Sequence, residues 1–207
     1  MWAVVVAAGS GRRFGSQKQF AALGGGTVLD RAVAVAGEVV DGVVAVVPAD
    51  RADERPRSVA GGGTRSESVR RGLAAVPAEA DVIVVHDGAR PFASVALFRA
   101  VIGAVREGAD AAVPGIPVSD TVKVVDDAMV VVETLDRSRL VAVQTPQAFR
   151  AAALRAAHAG EAEGTDDASL VERAGGRVVV VPGEPDNRKI TVVEDLDWAR
   201  ERVAGPR

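Results

Sequence analysis

Residues 4–18 read VVVAAGSGRRFGSQK, an apolar run followed at once by glycine, serine and basic residues. The apolar run predicts a buried strand, and the glycines after it let backbone N–H groups approach an anion closely. The N-terminus of a following helix would also favour negative charge. Arg12, Arg13 and Lys18 add positive charge at the same place. The stretch therefore predicts a triphosphate-binding loop after the first strand of an α/β fold.

Two commoner glycine loops fit this stretch poorly. A Walker loop needs a serine or threonine after its lysine, and Gln19 follows Lys18. A dinucleotide fingerprint needs glycine where Phe14 stands, and an acidic residue at the end of the second strand. Asp30 has about the right spacing but begins a stretch of helical period, Asp30 to Val40. An ordinary strand-to-helix turn stays open as the alternative.

The composition predicts one globular domain over residues 1–207. Its 207 residues are 48% hydrophobic, enough for one well-buried core. The net charge of −3 gives no support to nucleic-acid or membrane-surface partners. The chain has no cysteine for a disulfide or a thiolate site. Because Met1-Trp2-Ala3 passes directly into a strand, and no apolar run reaches about 20 residues, we expect a cytoplasmic protein.

Apolar β-branched runs alternate with segments of helical period along the chain. Strands without polar alternation are typical of a mostly parallel sheet covered by helices on both faces. Strands are predicted at Ala3–Ala8, Gly42–Val47, Asp81–His86, Ala109–Pro114 and Arg177–Val181, and helices at Arg65–Val76, Val95–Glu107 and Asp166–Ala174.

One segment breaks this alternation. Thr121–Val125 and Met129–Thr134 predict two short strands around a turn, a β-hairpin inserted at about residues 118–140. Such a ribbon is marginal alone. We therefore expect it to pack on the parent domain or on a second subunit.

The motif VHDGARP at 85–91 places polar residues after an apolar strand. The carboxyl ends of strands border the ligand crevice in open α/β sheets. Asp87 there can bind a hydroxyl, a cation or Mg²⁺, and Arg90 can clamp a phosphate. A capping aspartate paired with an arginine is the structural alternative. We interpret His86 as a structural histidine.

Two further segments carry weaker signals. In residues 62–73 a glycine turn precedes Thr64, Ser66 and Ser68, which predicts either a base-reading loop or an N-capped amphipathic helix. Residues 185–191 form a polar turn containing Arg188 and Lys189, which alone is only a basic loop.

Taken together and in order, these segments resemble the 2-C-methyl-D-erythritol 4-phosphate cytidylyltransferases of the non-mevalonate isoprenoid pathway, from Ala3 to about Ala199. The motifs that carry the resemblance are AAGSGRRF at 7–14 with KQF at 18–20, GGTRSESV at 62–69, VHDGARP at 85–91, SDTVK at 119–123, QTPQAF at 144–149, TDDASL at 165–170 and DNRKITVVEDL at 186–196.

The resemblance implies a Rossmann-like nucleotidyltransferase fold whose inserted β-hairpin arm forms a homodimer. It implies Mg²⁺ on the triphosphate, with Asp87 as a candidate ligand, and catalytic roles for Arg13, Lys18 and Lys189. The implied CTP-binding residues are Ala7, Ala8, Gly9, Gly11, Arg13, Lys18, Gly62, Gly63, Ser68, Asp87 and Gly88. The implied residues for the methylerythritol phosphate are Asp87, Arg90, Thr134, Thr165 and Lys189, with Thr165 acting across the dimer.

Three positions depart from the family pattern. Gly63 stands where an aspartate often contributes to cytosine recognition, Gly88 replaces an alanine, and Ala151 lies near where some relatives place an arginine, which Arg150 would replace. Three alternatives stay open. They are a cytidylyltransferase for ribitol 5-phosphate or another polyol phosphate, a transferase for GTP, UTP or dTTP, and a catalytically silent nucleotide-binding regulator.

Overall fold

The apolar runs of the sequence form the centre of a large sheet. The computed structural model describes residues 1–9, 17–160 and 162–205. Its strands are β1 (Trp2–Val6), β2 (Ala22–Leu23), β3 (Gly26–Thr27), β4 (Gly42–Val47), β5 (Ser58–Ala60), β6 (Val82–Asp87), β7 (Ala111–Pro117), β8 (Lys123–Val125), β9 (Val131–Thr134), β10 (Val141–Val143), β11 (Gln147–Arg150) and β12 (Val178–Pro182). Its helices are α1 (Val28–Gly37), α2 (Arg65–Ala74), α3 (Val95–Arg106), α4 (Ala151–Ala157), α5 (Asp167–Arg173) and α6 (Val193–Ala204).

The sheet is parallel apart from one interrupted strand. Strands β6, β1, β4 and β5 lie side by side and parallel, and β12 is parallel to β7. Strand β11 lies antiparallel between β6 and β7, and β10 continues along the β7 edge. The expectation of a mostly parallel sheet between helices is confirmed.

The antiparallel strand itself was not predicted from the sequence. Its two halves are only three and four residues long, and Gln144-Thr145-Pro146 separates them. Polar residues and proline normally indicate a loop. Here the backbone N–H of Gln144 still donates to the carbonyl of Pro114 at 2.8 Å, so the interrupted segment stays on the sheet.

Both faces of the sheet are buried, as its continuous apolar strands require. Ala3, Val4 and Val5 of β1 are all fully buried, which continuous rather than alternating hydrophobicity predicts. One face packs on α1 and α3 through residues such as Leu29 and Phe98. The other face packs on α2, α4 and α5.

Capping residues define where the helices begin. Thr27 accepts from the backbone N–H of Asp30, whose carboxylate accepts from the N–H of Thr27 in return, so α1 starts two residues before Asp30. Asp30 is therefore a capping residue and not the acidic end of a second strand. Thr64, Ser94 and Asp166 cap α2, α3 and α5 in the same manner.

The segment predicted to form a hairpin pairs β8 with β9 antiparallel, from Lys123 opposite Thr134 to Val125 opposite Val131. It forms its own two-stranded sheet. Its apolar side chains are exposed, including Met129 at 76% and Val132 at 61%.

Among the described residues, none of the helices combines the length and the hydrophobicity of a membrane span.

Candidate active site

Asp87 is the last residue of β6 and lies beside the end of β1. The two strands are parallel neighbours, and Asp87 is in register with Val6. The predicted nucleotide-binding residues Ala7, Ala8 and Gly9 follow β1 directly. The fold therefore brings two separate sequence motifs to one edge of the sheet, where open α/β sheets bind ligands.

Three basic side chains surround the Asp87 carboxylate. Lys189 Nζ donates to Asp87 Oδ2 at 2.7 Å. Arg65 Nε lies 3.8 Å from Oδ1, and Arg90 Nε lies 3.9 Å from Oδ2. Among the described residues, these three cations outnumber the carboxylates of Asp87 and of Asp167, which also pairs with Arg65. The cluster is therefore suited to anionic ligands such as phosphates.

Asp87 is ionised in this setting. Burial alone would raise the pKa of its carboxyl group, but the charges of Lys189 and Arg65, the hydrogen bond from Lys189 and the charge of Arg90 together lower it to about 2. Asp87 is thus a permanent negative charge near neutral pH. It can orient a cation or bind a hydroxyl group, but it has no proton to donate.

An ion pair with a buried carboxylate holds the guanidinium group of Arg65 in place. Its Nη1 lies 2.7 Å from Oδ2 of Asp167, which is fully buried, and His158 Nε2 lies 3.0 Å from Oδ1 of the same residue. Burial alone would lower the pKa of Arg65, but Asp167 and Asp87 raise it. Sequence reasoning assigned no role to these residues, although Arg65 and Asp167 lie inside the quoted motifs GGTRSESV and TDDASL.

A second buried network positions the loop that carries Lys189. Asn187, fully buried, donates through Nδ2 to the Thr145 carbonyl at 2.8 Å and to Gln144 Oε1 at 3.2 Å. Its own carbonyl accepts from Arg90 Nη1 at 2.7 Å. The hydroxyl of Thr145 accepts from the backbone N–H of Asp87 at 2.9 Å. Gln144 and Thr145, which lie between β10 and β11, are thus hydrogen-bonded to Asn187, and Thr145 is also bonded to Asp87. They connect the loop that carries Lys189 to the end of β6.

His86 is a satisfied core residue, as its sequence context suggested. Its ring nitrogens lie 3.1 Å from the Arg90 carbonyl and 3.1 Å from the Thr145 hydroxyl. Complete burial lowers the pKa of the imidazole to about 4, so the ring is neutral near pH 7. His86 supports the site without facing a substrate.

Gln19 ties the two ends of the first glycine-rich loop together. Its buried side chain donates to the carbonyls of Ala7 at 2.7 Å and Gly9 at 3.0 Å. Lys18 lies beside it in a short 3₁₀ turn, Lys18–Phe20. Gly11 and Arg13, predicted to contact the nucleotide, lie outside the described residues.

The second glycine loop contacts the end of β1. A Cβ at Gly61 would lie 2.2 Å from the Cβ of Ala8, so only glycine allows this approach. Ser68 accepts from the backbone N–H of Gly62 at 3.0 Å and donates to the Thr64 carbonyl at 2.8 Å. The predicted phosphate and base loops are therefore neighbours, and Ser68 holds the shape of the second.

Gly88 also lies where the strands meet. Its N–H donates to the Val6 carbonyl at 2.9 Å, and a Cβ there would lie 2.9 Å from the Cβ of Ala7. Glycine at position 88, where the family pattern has alanine, therefore avoids a close contact with Ala7.

The remaining predicted residues lie on other elements. Thr134 ends β9, where its hydroxyl accepts from Lys123 Nζ at 2.7 Å. Thr165 is exposed just before α5. Arg150 is in register with Val82 and pairs with Asp110 at 3.5 Å, so it lies at the edge of the sheet opposite Asp87 of the same chain. The structure thus gives Arg150 no contact with Asp87 in its own subunit.

Within the described residues, no group of three or more histidine, cysteine, aspartate or glutamate side chains is arranged to hold a metal ion. A divalent cation at this site would need ligand oxygens in addition to Asp87.

Comparison with known proteins agrees with this geometry. Residues 1–204 match the family model described as IspD: 2-C-methyl-D-erythritol 4-phosphate cytidylyltransferase. The 2-C-methyl-D-erythritol 4-phosphate cytidylyltransferase of Nocardia farcinica is 46% identical over 95% of this chain and 91% of its own length. The bifunctional enzyme IspD/IspF of Clavibacter michiganensis is also 46% identical over 97% of this chain, which spans only 54%, about half, of that protein.

Solved structures show the same fold. The 4-diphosphocytidyl-2C-methyl-D-erythritol synthase from Anaerococcus prevotii superposes with a TM-score of 0.85 at 34% identity, over 99% of this chain and 98% of that one. The 2-C-methyl-D-erythritol 4-phosphate cytidylyltransferase from Thermus thermophilus superposes with a TM-score of 0.82 at 35% identity, over 98% of both chains. Since the family match covers nearly the whole chain and the nucleotidyltransferase fold agrees, this chain belongs to the 2-C-methyl-D-erythritol 4-phosphate cytidylyltransferase family.

Proposed function

We propose that this chain transfers CMP from CTP to 2-C-methyl-D-erythritol 4-phosphate and releases pyrophosphate, in isoprenoid precursor biosynthesis. The observation that carries the proposal is the convergence of Lys189, Arg65 and Arg90 on Asp87, beside the end of β1. Such a cluster can bind and align two phosphate-bearing substrates. Family membership supports this choice of substrates.

The chemistry does not require a general base. The nucleophile is an oxygen of a phosphate monoester, whose second pKa near 6 leaves it largely dianionic at neutral pH. It attacks the α-phosphorus of CTP, forms the new P–O bond and expels pyrophosphate. This agrees with a buried, neutral His86. The protein has to align two anions and to stabilise the charge that develops on the phosphates.

Lys189 is suited to that second task. Its ammonium group has three donors, one of which binds Asp87, and its side chain is 44% exposed. The other donors can reach phosphate oxygens of either substrate. We assign the corresponding role on the triphosphate to Lys18 and Arg13.

Mg²⁺ is proposed as the metal of this reaction. The triphosphate would supply most of its ligand oxygens, and Asp87 is the candidate protein ligand because its Oδ1 is 3.8 Å from Arg65 and retains acceptor capacity. Bound Mg²⁺ would neutralise charge on the phosphates.

A homodimer is the proposed assembly. The hairpin exposes Met129 at 76%, Val130 at 58% and Val132 at 61%, and a two-stranded ribbon with an uncovered apolar face is marginal alone. A second subunit would cover that face and would allow Thr165 to contact the methylerythritol phosphate across the dimer. The cytoplasmic location and the absence of nucleic-acid and membrane partners stay predictions.

Pyrophosphate release tests the reaction directly. The protein is incubated with Mg²⁺ and each of the four ribonucleoside triphosphates, with either methylerythritol 4-phosphate or ribitol 5-phosphate as acceptor. We expect release only with CTP and methylerythritol phosphate. Equal or greater release with ribitol phosphate, or with another nucleotide, would replace the proposed substrates.

A further inference from the structure

The carboxylate of Glu67 is folded back onto the glycine loop that precedes α2. Its Oε2 accepts from the backbone N–H of Gly63 at 2.6 Å, and its Oε1 accepts from Arg71 Nη2 at 2.6 Å. A Cβ at Gly62 would lie 2.2 Å from Glu67 Cδ, so the carboxyl group packs directly against the α-carbon of that glycine. A larger residue at 62 would therefore force the Glu67 side chain to move.

This carboxylate is charged and accessible. The hydrogen bond from the Gly63 N–H, followed by the bond from Arg71, lowers the pKa of Glu67. Its side chain is 36% exposed. Each carboxylate oxygen offers about two acceptor positions, and among the described residues each has one partner, so both oxygens can accept a further hydrogen bond from a ligand.

The loop that holds Glu67 lies beside the end of β1. Gly61 packs on Ala8 at the end of β1, and Ser68 fixes the loop from inside. A nucleotide bound along Ala7–Gly9 would therefore lie next to this second loop.

We propose that Glu67 supplies the acceptor that selects the 4-amino group of cytosine, and so takes the role that an aspartate at position 63 would otherwise have. The proposal rests on the proposed function, because it assigns one specificity contact within that site. Cytosine presents an amino donor at C4, which a carboxylate accepts. Uracil presents a carbonyl oxygen at the same position, which a carboxylate repels.

Among the described residues, none blocks a side chain at position 63. The backbone of Gly63 is not in the left-handed region, and the nearest atom to a Cβ there is Glu67 Oε2 at an ordinary contact distance of 3.5 Å. An aspartate at 63 would therefore place its carboxylate close to where that of Glu67 lies now.

The ratio of kcat/KM for CTP to that for UTP tests this proposal, with methylerythritol 4-phosphate as the acceptor. We expect Glu67→Gln to lower the ratio at least roughly 10-fold, because a charged acceptor is replaced by an amide that can also donate to uracil. Glu54→Gln is the matched control. It removes the same charge from another exposed pair, Arg51–Glu54 at 3.2 Å, and should leave the ratio unchanged.

A rescue variant separates recognition from helix capping. Adding Gly63→Asp to Glu67→Gln should restore the CTP preference. If Glu67 only stabilises the start of α2, its loss lowers turnover of both nucleotides alike, and an unchanged ratio overturns the assignment while the proposed function stands. A wild-type protein without CTP preference would instead overturn the proposed function, and this inference with it.

Discussion

We expect burial of His86 to make this protein measurably less stable in mild acid. The folded state lowers the pKa of the imidazole from 6.5 to about 4 because the charged ring cannot be solvated. Between these two values the unfolded chain binds a proton that the folded chain does not. The free energy of unfolding therefore falls as the pH decreases from 6.5, and this loss ends near pH 4, where the folded protein also binds the proton.

The size of the effect follows from the shift in pKa. One unit corresponds to about 1.4 kcal/mol, so a shift from 6.5 to about 4 corresponds to a loss of about 3 kcal/mol. That is a large fraction of the about 5–15 kcal/mol by which domains are usually stable. Mild acid should therefore lower the free energy of unfolding at pH values well above the pKa of Asp87.

Denaturant unfolding at pH 7, 6, 5 and 4 measures this loss. Wild type is compared with His86→Gln, whose neutral amide has no proton to gain. The variant is expected to be less stable at pH 7, because it loses the ring contact with Phe98, with 5.1 Å between centroids, but to change less between pH 6.5 and 4. Parallel curves for the two proteins would refute the reasoning. An imidazole titration of wild-type His86 by NMR with a midpoint near 6.5 would refute it even if the variant failed to fold.

Three further predictions concern the proposed reaction. Lys189→Ala should lower kcat/KM at least roughly 100-fold, since a transition-state contact is lost, and turnover like that of wild type would remove Lys189 from the catalytic group. Deleting residues 120–134 should abolish both the dimer and activity while circular dichroism stays native-like, and a fully active monomer by sedimentation and assay would contradict the shared site. Gly61→Ala should raise KM for CTP at least roughly 10-fold, because its Cβ would lie 2.2 Å from that of Ala8, whereas Gly37→Ala, with open space around it, is the control that should leave KM unchanged.

The strands and the ligand-binding edge of the sheet can be predicted from the sequence, for a physical reason. Strands buried on both faces are mostly apolar, and this constraint is visible in β1, in β4 and in Val82–Val85 of β6. The position of Asp87 is predictable by the same rule, because it comes at the end of an apolar run. The short strands β10 and β11 could not be predicted, because polar residues separate them and it is pairing with β7 and β6 that keeps them extended.

The partners of Arg65 could not be predicted from the sequence. Asp167 lies 102 positions later and His158 follows the end of α4, and local pattern carries no information about pairs so distant along the chain. From the sequence alone, the motif that contains Arg65 predicts either a base-reading loop or an N-capped helix. The structure shows that its N-cap is Thr64 and that Arg65 instead faces the Asp87 cluster.

The sequence by itself determined the fold class, the two glycine loops and the chemical character of the site, because burial, backbone freedom and charge are properties of individual residues and their spacing. Only the tertiary structure decided which charges meet. Three contacts depend on loops that the packing of helices on the sheet puts in place. They are the hydrogen bond of Lys189 to Asp87, the ion pair of Arg65 with Asp167 and the hydrogen bond of the Gly63 N–H to Glu67. Interactions of this kind act over a few ångströms in space, and that proximity exists only after the chain has folded.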